Sequence, residues 1–392
     1  MAFLTARSPD LAAAEDALGD AFLAALKTWP DSGVPANPEA WLLVAARRRL
    51  IDGARRNQTQ DRLLPLFKAE DLEPSPDLEQ FTFPDDRLKL LFVCTHPAIA
   101  PEMHTPLMLQ TVLGLNAVQI ASAFLVAPAT MGQRLVRAKA KIRDAGIAFE
   151  LPQEADLPDR LEAVLEAIYA AFTSSWETVA GGDPRYRGLT EEAIWLARLC
   201  VALMPQEPEA RGLLALMLYC EARRDARRTP DGAYVPLLEQ NTNLWSTSLI
   251  AEAERELTQA ARFRSPGRFQ LEAAIQSIHA QRAITQQVDW LALALLYEGL
   301  IQRSPTLGAL VSHASAIAEV NGAEHGLTLL NALPNESIKT YQPYWALKAH
   351  LLQQQGQEVE ARHAYSQAIG LTEDAAIREF LVGRSAFARS ST

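Results

Sequence analysis

A chain of 392 residues, 48% hydrophobic and 21% charged with a net charge of −10, is long enough for two or three domains and apolar enough to bury real cores. No apolar run reaches the ~20 residues that span a bilayer and no N-terminal stretch has the form of a signal peptide, so no membrane partner is expected and a cytoplasmic location is. Three scattered cysteines, Cys94, Cys200 and Cys220, make no disulfide framework and fit free thiols in a reducing compartment.

Long Ala/Leu-rich segments with helical spacing, and no β-branched alternation, predict an all-α protein. Residues 11–29, "LAAAEDALGDAFLAALKTW", place Leu11, Ala14, Leu18, Phe22, Leu26 and Trp29 on one expected apolar face, with Glu15, Asp16 and Asp20 opposite. A stiff loop follows, with Pro30, Gly33, Pro35, Asn37 and Pro38 between Trp29 and Trp41. A second helix is predicted from about Pro38 to Arg56, because proline suits a first helical turn. It ends in Arg47, Arg48, Arg49, Arg55 and Arg56. Residues 58–84 are acidic and proline-containing and read as a linker.

Residues 85–150 read as a second compact helical unit. A short helix (about 117–124), a turn at Leu125 to Ala127 and a helix from Pro128 have helix-turn-helix spacing. Val118, Ile120, Ala121, Phe124, Met131, Leu135 and Ala138 are its expected core. The second helix carries Arg134, Arg137, Lys139, Lys141 and Arg143 with no acid among them. Residues 1–150 hold 16 Lys+Arg against 18 Asp+Glu. The positive charge is therefore concentrated on two helices of a nearly neutral region, and can meet phosphates locally despite the net charge; two solvated helix faces are the plain alternative. From 151 to 392 the chain is helical and acidic. "YWALKAHLLQQQGQEVEARHAYSQAI" places Trp345, Ala349, Leu352, Gly356, Ala361, Tyr365 and Ala368 as in a tetratricopeptide repeat, with Gly322 and Pro305 in register for earlier repeats.

Chemistry is sparse. There is no P-loop, dinucleotide fingerprint, HExxH spacing or nucleophile elbow, so no enzyme activity, cofactor or metal is implied. Cys94 and His96 in "FVCTHP" are two ligands without a companion pair and read as a buried thiol and a capping or core histidine.

Together "AEDALGDAFLAALKTWP", "GVPANPEAWLLVAARRRLIDGARR", "DDRLKLLFVCTHPAIAP", "ASAFLVAPATMGQRLVRAKAKIR", "ALMPQEPEARGLLALM" and "QVDWLALALLYEGLI" resemble a bacterial RNA polymerase sigma factor of the sigma-70 superfamily. The type resembled is the extracytoplasmic-function one, in the group with a C-terminal tetratricopeptide-like extension. The resemblance implies region 2 at 1–57, shortened at its N-terminus, the linker at 58–84, region 4 at 85–150 and the repeat domain at 151–392. It implies that region 2 melts the −10 element. Val34, Asn37 and Trp41 would then shape or support a pocket for a flipped base, and Arg47, Arg48, Arg49, Arg55 and Arg56 would follow the backbone. A loop that only caps a helix, and a Trp41 that is only core, are the alternatives. Region 4 would bind the −35 element: Gln133 as the base reader, Ala129 and Val136 against thymine methyls, and Thr130, Arg134, Arg137, Lys139 and Lys141 along the same helix, mostly on phosphates. Glu15, Asp16 and Asp20 would meet the β′ clamp of core RNA polymerase, and region 4 its β flap. The implied partners are core polymerase, promoter DNA and a regulatory protein at the repeats. The extension departs from the pattern at Thr173 to Trp176 and at Val311 to His313. A helix-turn-helix regulator independent of polymerase and a pure repeat scaffold are the competing functions.

Overall fold

The computed structural model describes residues 2–5, 10–58, 83–112, 114–124, 126–150, 152–153, 156–177 and 184–387. These residues form 19 α-helices and, among them, no strand beyond one isolated bridge between Arg228 and Tyr234. The fold is all-α, and no described helix is long and apolar enough to cross a membrane. Two compact units result. The first takes residues 1–176 and 185–199, the second 177–184 and 200–392. The first unit thus continues well past residue 150, where the sequence reading placed a domain boundary. Of the expected linker, 58–84, residues 59–82 lie outside the described residues, while residue 58 ends α3 and residues 83 and 84 begin α4.

The first unit holds α1 (Ala2–Thr5), α2 (Leu11–Ser32), α3 (Pro38–Gln58), α4 (Phe83–Cys94), α5 (His104–Thr111), α6 (Ala117–Ala123), α7 (Pro128–Asp144), α8 (Leu157–Glu177) and most of α9 (Pro184–Leu203). α2 starts where the Asp10 carboxylate accepts the Ala13 N–H at 3.0 Å, satisfying one of the orphan donors of a helix start. It buries Leu11, Ala14, Ala17, Ala21 and Ala25, a row at helical spacing whose short side chains admit α3 closely. This corrects the expected apolar face: Phe22 is 49% exposed and Leu26 72%, with Leu23 exposed beside them. α2 has two apolar sides, and the alanine side packs inward. The cores of α2 and α3 share Leu4, Ala14, Ala17, Ala21 and Ala46.

α4 is buried all the way round. Leu88 and the continuous run Leu90 to Thr95 are all inaccessible, so partners must cover every side of it. α1 and α5 supply two of these. α8 brings the Arg160 guanidinium 5.8 Å from the Phe92 ring centre, with its Nε donating to Thr95 Oγ1 at 3.4 Å. α9 supplies Glu192, ion-paired to Arg87, and Trp195, whose ring lies 4.8 Å from the same guanidinium. Burial pushes the Cys94 thiol up to about 12, and its Sγ lies 3.3 Å from Thr111 Oγ1. His96 Nδ1 accepts the Ala98 N–H at 3.1 Å. Both residues of the "FVCTHP" stretch therefore have structural partners.

The second unit comprises α10 (Pro208–Ala222), α11 (Thr247–Ala261), α12 (Arg268–Thr285), α13 (Trp290–Arg303), α14 (Leu307–Asn321), α15 (Ala323–Asn331), α16 (Asn335–Ile338), α17 (Gln342–Gln354), α18 (Glu358–Leu371) and α19 (Ala375–Phe387). Neighbouring helices pack in sequence, α13 on α14, α14 on α15 and α17 on α18. In the last pair Ala349, Leu352, Ala361, Tyr365 and Ala368 are buried, and Gly356 turns the chain at φ +73°. Trp345 is one of the positions that the repeat pattern matched. It is only half-buried, and its neighbour Tyr344 takes the interior position.

At the start of this unit the Glu209 carboxylate of α10 accepts the backbone N–H of Phe269 at 2.8 Å and of Gln270 at 3.2 Å, capping α12 with a negative charge that favours a helix N-terminus. The approach requires Gly212, where a Cβ would lie 2.6 Å from Gln270 N. Gly212→Ala is expected to force α10 and α12 apart and cost about 1–3 kcal/mol, read as a lower midpoint in urea. An unchanged midpoint would show that the two helices are not packed at this point.

Candidate nucleic-acid interface

The loop between α2 and α3 is shorter than its prolines suggested. α2 runs through Pro30 to Ser32, and Gly33, at φ +79°, closes it by donating its N–H to Trp29 O at 2.9 Å. Only Gly33 to Asn37 remain outside helices. Val34 is exposed. The Asn37 Oδ1 accepts the Ala40 N–H at 3.0 Å, so its carbonyl caps α3 and its Nδ2 group is the part left for another partner. Trp41 is half-buried and meets Trp29 edge-on, ring centres 5.5 Å apart. This aromatic pair braces the loop from both helices.

Along α3, Arg47 is half-buried and Arg48 exposed. Arg49 pairs with Asp20 of α2 at 3.3 Å. The side chains of Arg55 and Arg56 lie outside the described residues. On α2, Asp16 is exposed, while Glu15 is engaged by Lys139. Of the three acidic residues expected to face a partner, only Asp16 is thus without a basic neighbour among the ion pairs just described.

The α6–α7 hairpin begins with Asn116. Its Oδ1 accepts the N–H of Val118 and of Gln119, both at 3.0 Å, while Gln119 Oε1 accepts the Asn116 N–H in return. This reciprocal cap fixes the start of α6. Ile120, Ala121, Met131, Leu135 and Ala138 are buried, as their spacing required. Val118 and Phe124 are exposed. Val118 lies two residues, about 200° of helix, from Ile120, and Phe124 follows the last residue of α6. Leu125 of the expected turn lies outside the described residues.

α7 presents its candidate residues in two parallel exposed rows. Ala129, Gln133 and Val136 form one, and Thr130, Arg134, Arg137 and Lys141 the other. These are i, i+4, i+7 spacings, which stack side chains on one helix face. Arg134, Arg137 and Lys141 form the basic wall of an open groove of about 540 Å³ whose other wall is Ala98, Ile99, Ala100, Glu102 and Met103. The last turn of α7 also carries Arg143, whose pKa is held above the usual value, first by its hydrogen bond to Asp144 and then by the charges of Asp144 and Asp10. Lys139 departs from the expectation. It is buried on the inner edge of α7, with Leu135 and Ile142, and its ammonium pairs with Glu15. The residue expected on phosphate is here an internal cation.

The sequence reading did not single out Phe22, Leu23 and Leu26 as exposed, nor the pairing of Lys139 with Glu15. For the first, the signal was present: Ala14, Ala17, Ala21 and Ala25 repeat at the same helical period as the bulky row.

The family description Sigma-70 region 2 matches residues 1–60. A family of unknown function (DUF6596) matches residues 160–261. An uncharacterized protein of Rhizobium meliloti (strain 1021) is 39% identical over 374 residues, covering 94% of this chain and 88% of that protein. The chain therefore belongs to the family of the Rhizobium protein, and its first 60 residues are similar to sigma-70 region 2.

Proposed function

We propose that this chain is an alternative sigma factor of the extracytoplasmic-function type that directs core RNA polymerase to specific promoters. Region 2 opens the −10 element. The braced loop from Gly33 to Asn37 receives an unstacked base, with Val34 against its face and Asn37 Nδ2 donating to its edge. Preorganised backbone suits this task, because a flexible pocket would add an ordering cost to that of unstacking. Arg47 and Arg48 follow the strand backbone. α7 enters the major groove at −35, where Gln133 has the bidentate chemistry for adenine and the Arg134, Arg137 and Lys141 row holds phosphates. The observation that carries the reading is this pair of exposed rows on the second helix of the α6–α7 hairpin, downstream of a segment that matches sigma region 2. The C-terminal helices are a tetratricopeptide-like solenoid that modulates the factor through a regulatory partner. No catalytic step falls to this chain.

Core polymerase docks on the bulky side of α2. Phe22, Leu23 and Leu26 form an exposed apolar strip, rimmed by Asp16 and Lys27. Apolar anchors within a charged rim are what a protein interface uses for affinity. Phe22→Asp with Leu26→Asp is expected to weaken core binding at least tenfold while leaving the melting temperature of the chain within a few degrees, since both side chains are already in water. Anisotropy titration of labelled protein with core polymerase reads the first effect and calorimetry the second. Unchanged affinity would remove this strip from the docking surface.

A further inference from the structure

In the second unit the connection between α10 and α11, residues 223–246, runs along α12 and reaches α19. Arg228 pairs with Asp374, the residue before α19. Tyr234 meets Phe380 edge-on, ring centres 5.5 Å apart, and Glu239 pairs with Arg384. From α12, Arg282 donates to Leu238 O and, at 2.8 Å, to Gln240 O, and its guanidinium lies 5.2 Å from the Trp245 ring centre. Between this loop and α12 lies an open cavity of about 450 Å³, the size of a small-molecule site.

The lining is rich in hydrogen-bond donors and poor in negative charge. Beside Leu238 it consists of Gln240, Asn241, Thr242, Asn243, Arg282 and Gln286. The carboxylate next to it in sequence, Glu239, is taken by Arg384. Among the described residues Arg282 has no carboxylate partner. Its two bonds to carbonyls leave Nε and one hydrogen on each Nη for another acceptor. Arg223 adds a second positive charge, close enough to act on Arg282, and its own Nη2 donates to the neutral amide of Gln276 at 2.5 Å. His279 balances neither: burial pushes its pKa down to about 4, and the charges of Arg223 and Arg282 act in the same direction. Buried polar atoms in folded proteins are almost always paired. Here Gln240 Oε1, an acceptor, and Trp245 Nε1, a donor, are buried without a partner, on side chains that belong to residues only 8% and 4% exposed.

We propose that this cavity binds a small phosphorylated sugar or polyol. A phosphate brings negative charge and several acceptor oxygens to the free edge of Arg282 and to the side-chain amides of Asn243 and Gln286. A hydroxyl of the same ligand donates to Gln240 Oε1. Leu238 is the sole apolar residue of the lining, so a polar ligand body fits it and a hydrocarbon one does not. The chain carries a net charge of −10, so an anion is drawn only to a local basic site of this kind. The proposal does not rest on the sigma-factor reading. It gives the second unit a ligand of its own, held by the loop that ties α12 to α19.

Isothermal titration of the full chain near physiological salt tests it. The probes are glucose 6-phosphate, ribose 5-phosphate and glycerol 3-phosphate, with inorganic phosphate and glucose as the two halves of the ligand. At least one ester is expected to bind with a Kd below about 1 mM, at least tenfold more tightly than inorganic phosphate, and glucose is expected not to bind. Gln286→Glu sets a carboxylate on the cavity wall at an exposed position and is expected to weaken the ester at least tenfold through like-charge repulsion. Asn243→Asp does the same from the loop side, and decides the matter if the first variant does not fold. Replacing Arg134, Arg137 and Lys141 with alanine is expected to leave ester binding unchanged, which separates the cavity from the basic row of α7. Absence of binding by all three esters at about 5 mM, an affinity for inorganic phosphate equal to that for the esters, an affinity unchanged by both cavity variants, or one that falls instead with the α7 row replaced would each overturn the proposal.

Discussion

A chain cut after residue 150 is expected not to fold. Sequence alone places a boundary there, after the last helix of the helix-turn-helix unit. In the structure, however, α4 is buried on all sides, and two of its covers, α8 and α9, lie beyond that cut. Leu161, Val164, Leu165, Ile168 and Phe172 of α8 and Ile194 and Leu196 of α9 are buried within the same unit. Each such side chain gains roughly 1.5–3 kcal/mol on leaving water. Seven of them amount to about 10–20 kcal/mol as an upper bound, since part of that burial is mutual. A whole domain is stable by only ~5–15 kcal/mol. Arg87 would also lose both Glu192 and Trp195. A chain ending at residue 203, after α9, is expected to melt cooperatively, whereas one ending at 150 shows no cooperative transition and is digested rapidly by trypsin. Equal midpoints for the two would show that α8 and α9 are dispensable to the unit. The practical consequence is that loss of activity on cutting at 150 says nothing about regulation. A truncation after 203 is the one that asks what the remaining helices do.

Replacing Arg134, Arg137 and Lys141 with alanine is expected to flatten the salt dependence of −35 binding. Each phosphate contact contributes about 0.9 to the log–log slope, so three losses reduce it by about 2.7. Over a fourfold rise in salt, that is about a 40-fold smaller decline in affinity. All three side chains are exposed on one wall of the groove along α7, so the fold is expected to survive. Gln133→Ala belongs to a different class. It is expected to leave the slope unchanged and to relax base preference at one position by about 1–3 kcal/mol. Binding isotherms at several salt concentrations, on matched and single-substituted duplexes, separate the two. An unchanged slope in the triple variant removes the row from the phosphate contacts. Lys139→Ala tests another matter: it deletes the counter-charge of a half-buried Glu15, and its first effect is expected on stability.

Much of the fold was legible because its signals are local. Helical spacing marks α2, α3, α6, α7, α17 and α18 in the sequence, and Pro38 and Pro128 start their helices where proline does no harm. Ile120, Ala121, Met131, Leu135 and Ala138 are core by period alone. What failed to show was the choice between faces. α2 repeats alanine and bulky residues at one period, and only the closeness of α3 selects alanine for the inside. Lys139 sits in a basic run that reads as a phosphate row. Its burial depends on α2, 124 residues away in sequence, a contact no local pattern encodes. The same holds for α4, whose all-round burial was visible as a nearly continuous apolar run, but not the identity of its covers. In the candidate −10 surface, Asn37 was legible as a loop residue, but its role as the α3 cap appears only with the backbone in place.

If this chain gives core polymerase its promoter specificity, run-off transcription on a library of genomic fragments will show it. The full-length protein is added to its cognate core polymerase, and transcripts are mapped by their 5′ ends. A small set of start sites is expected that appear only when both proteins are present, share two upstream sequence elements, and disappear with Arg134, Arg137 and Lys141 replaced. Start sites identical with and without the chain, or DNA binding whose specificity ignores core polymerase, would contradict it.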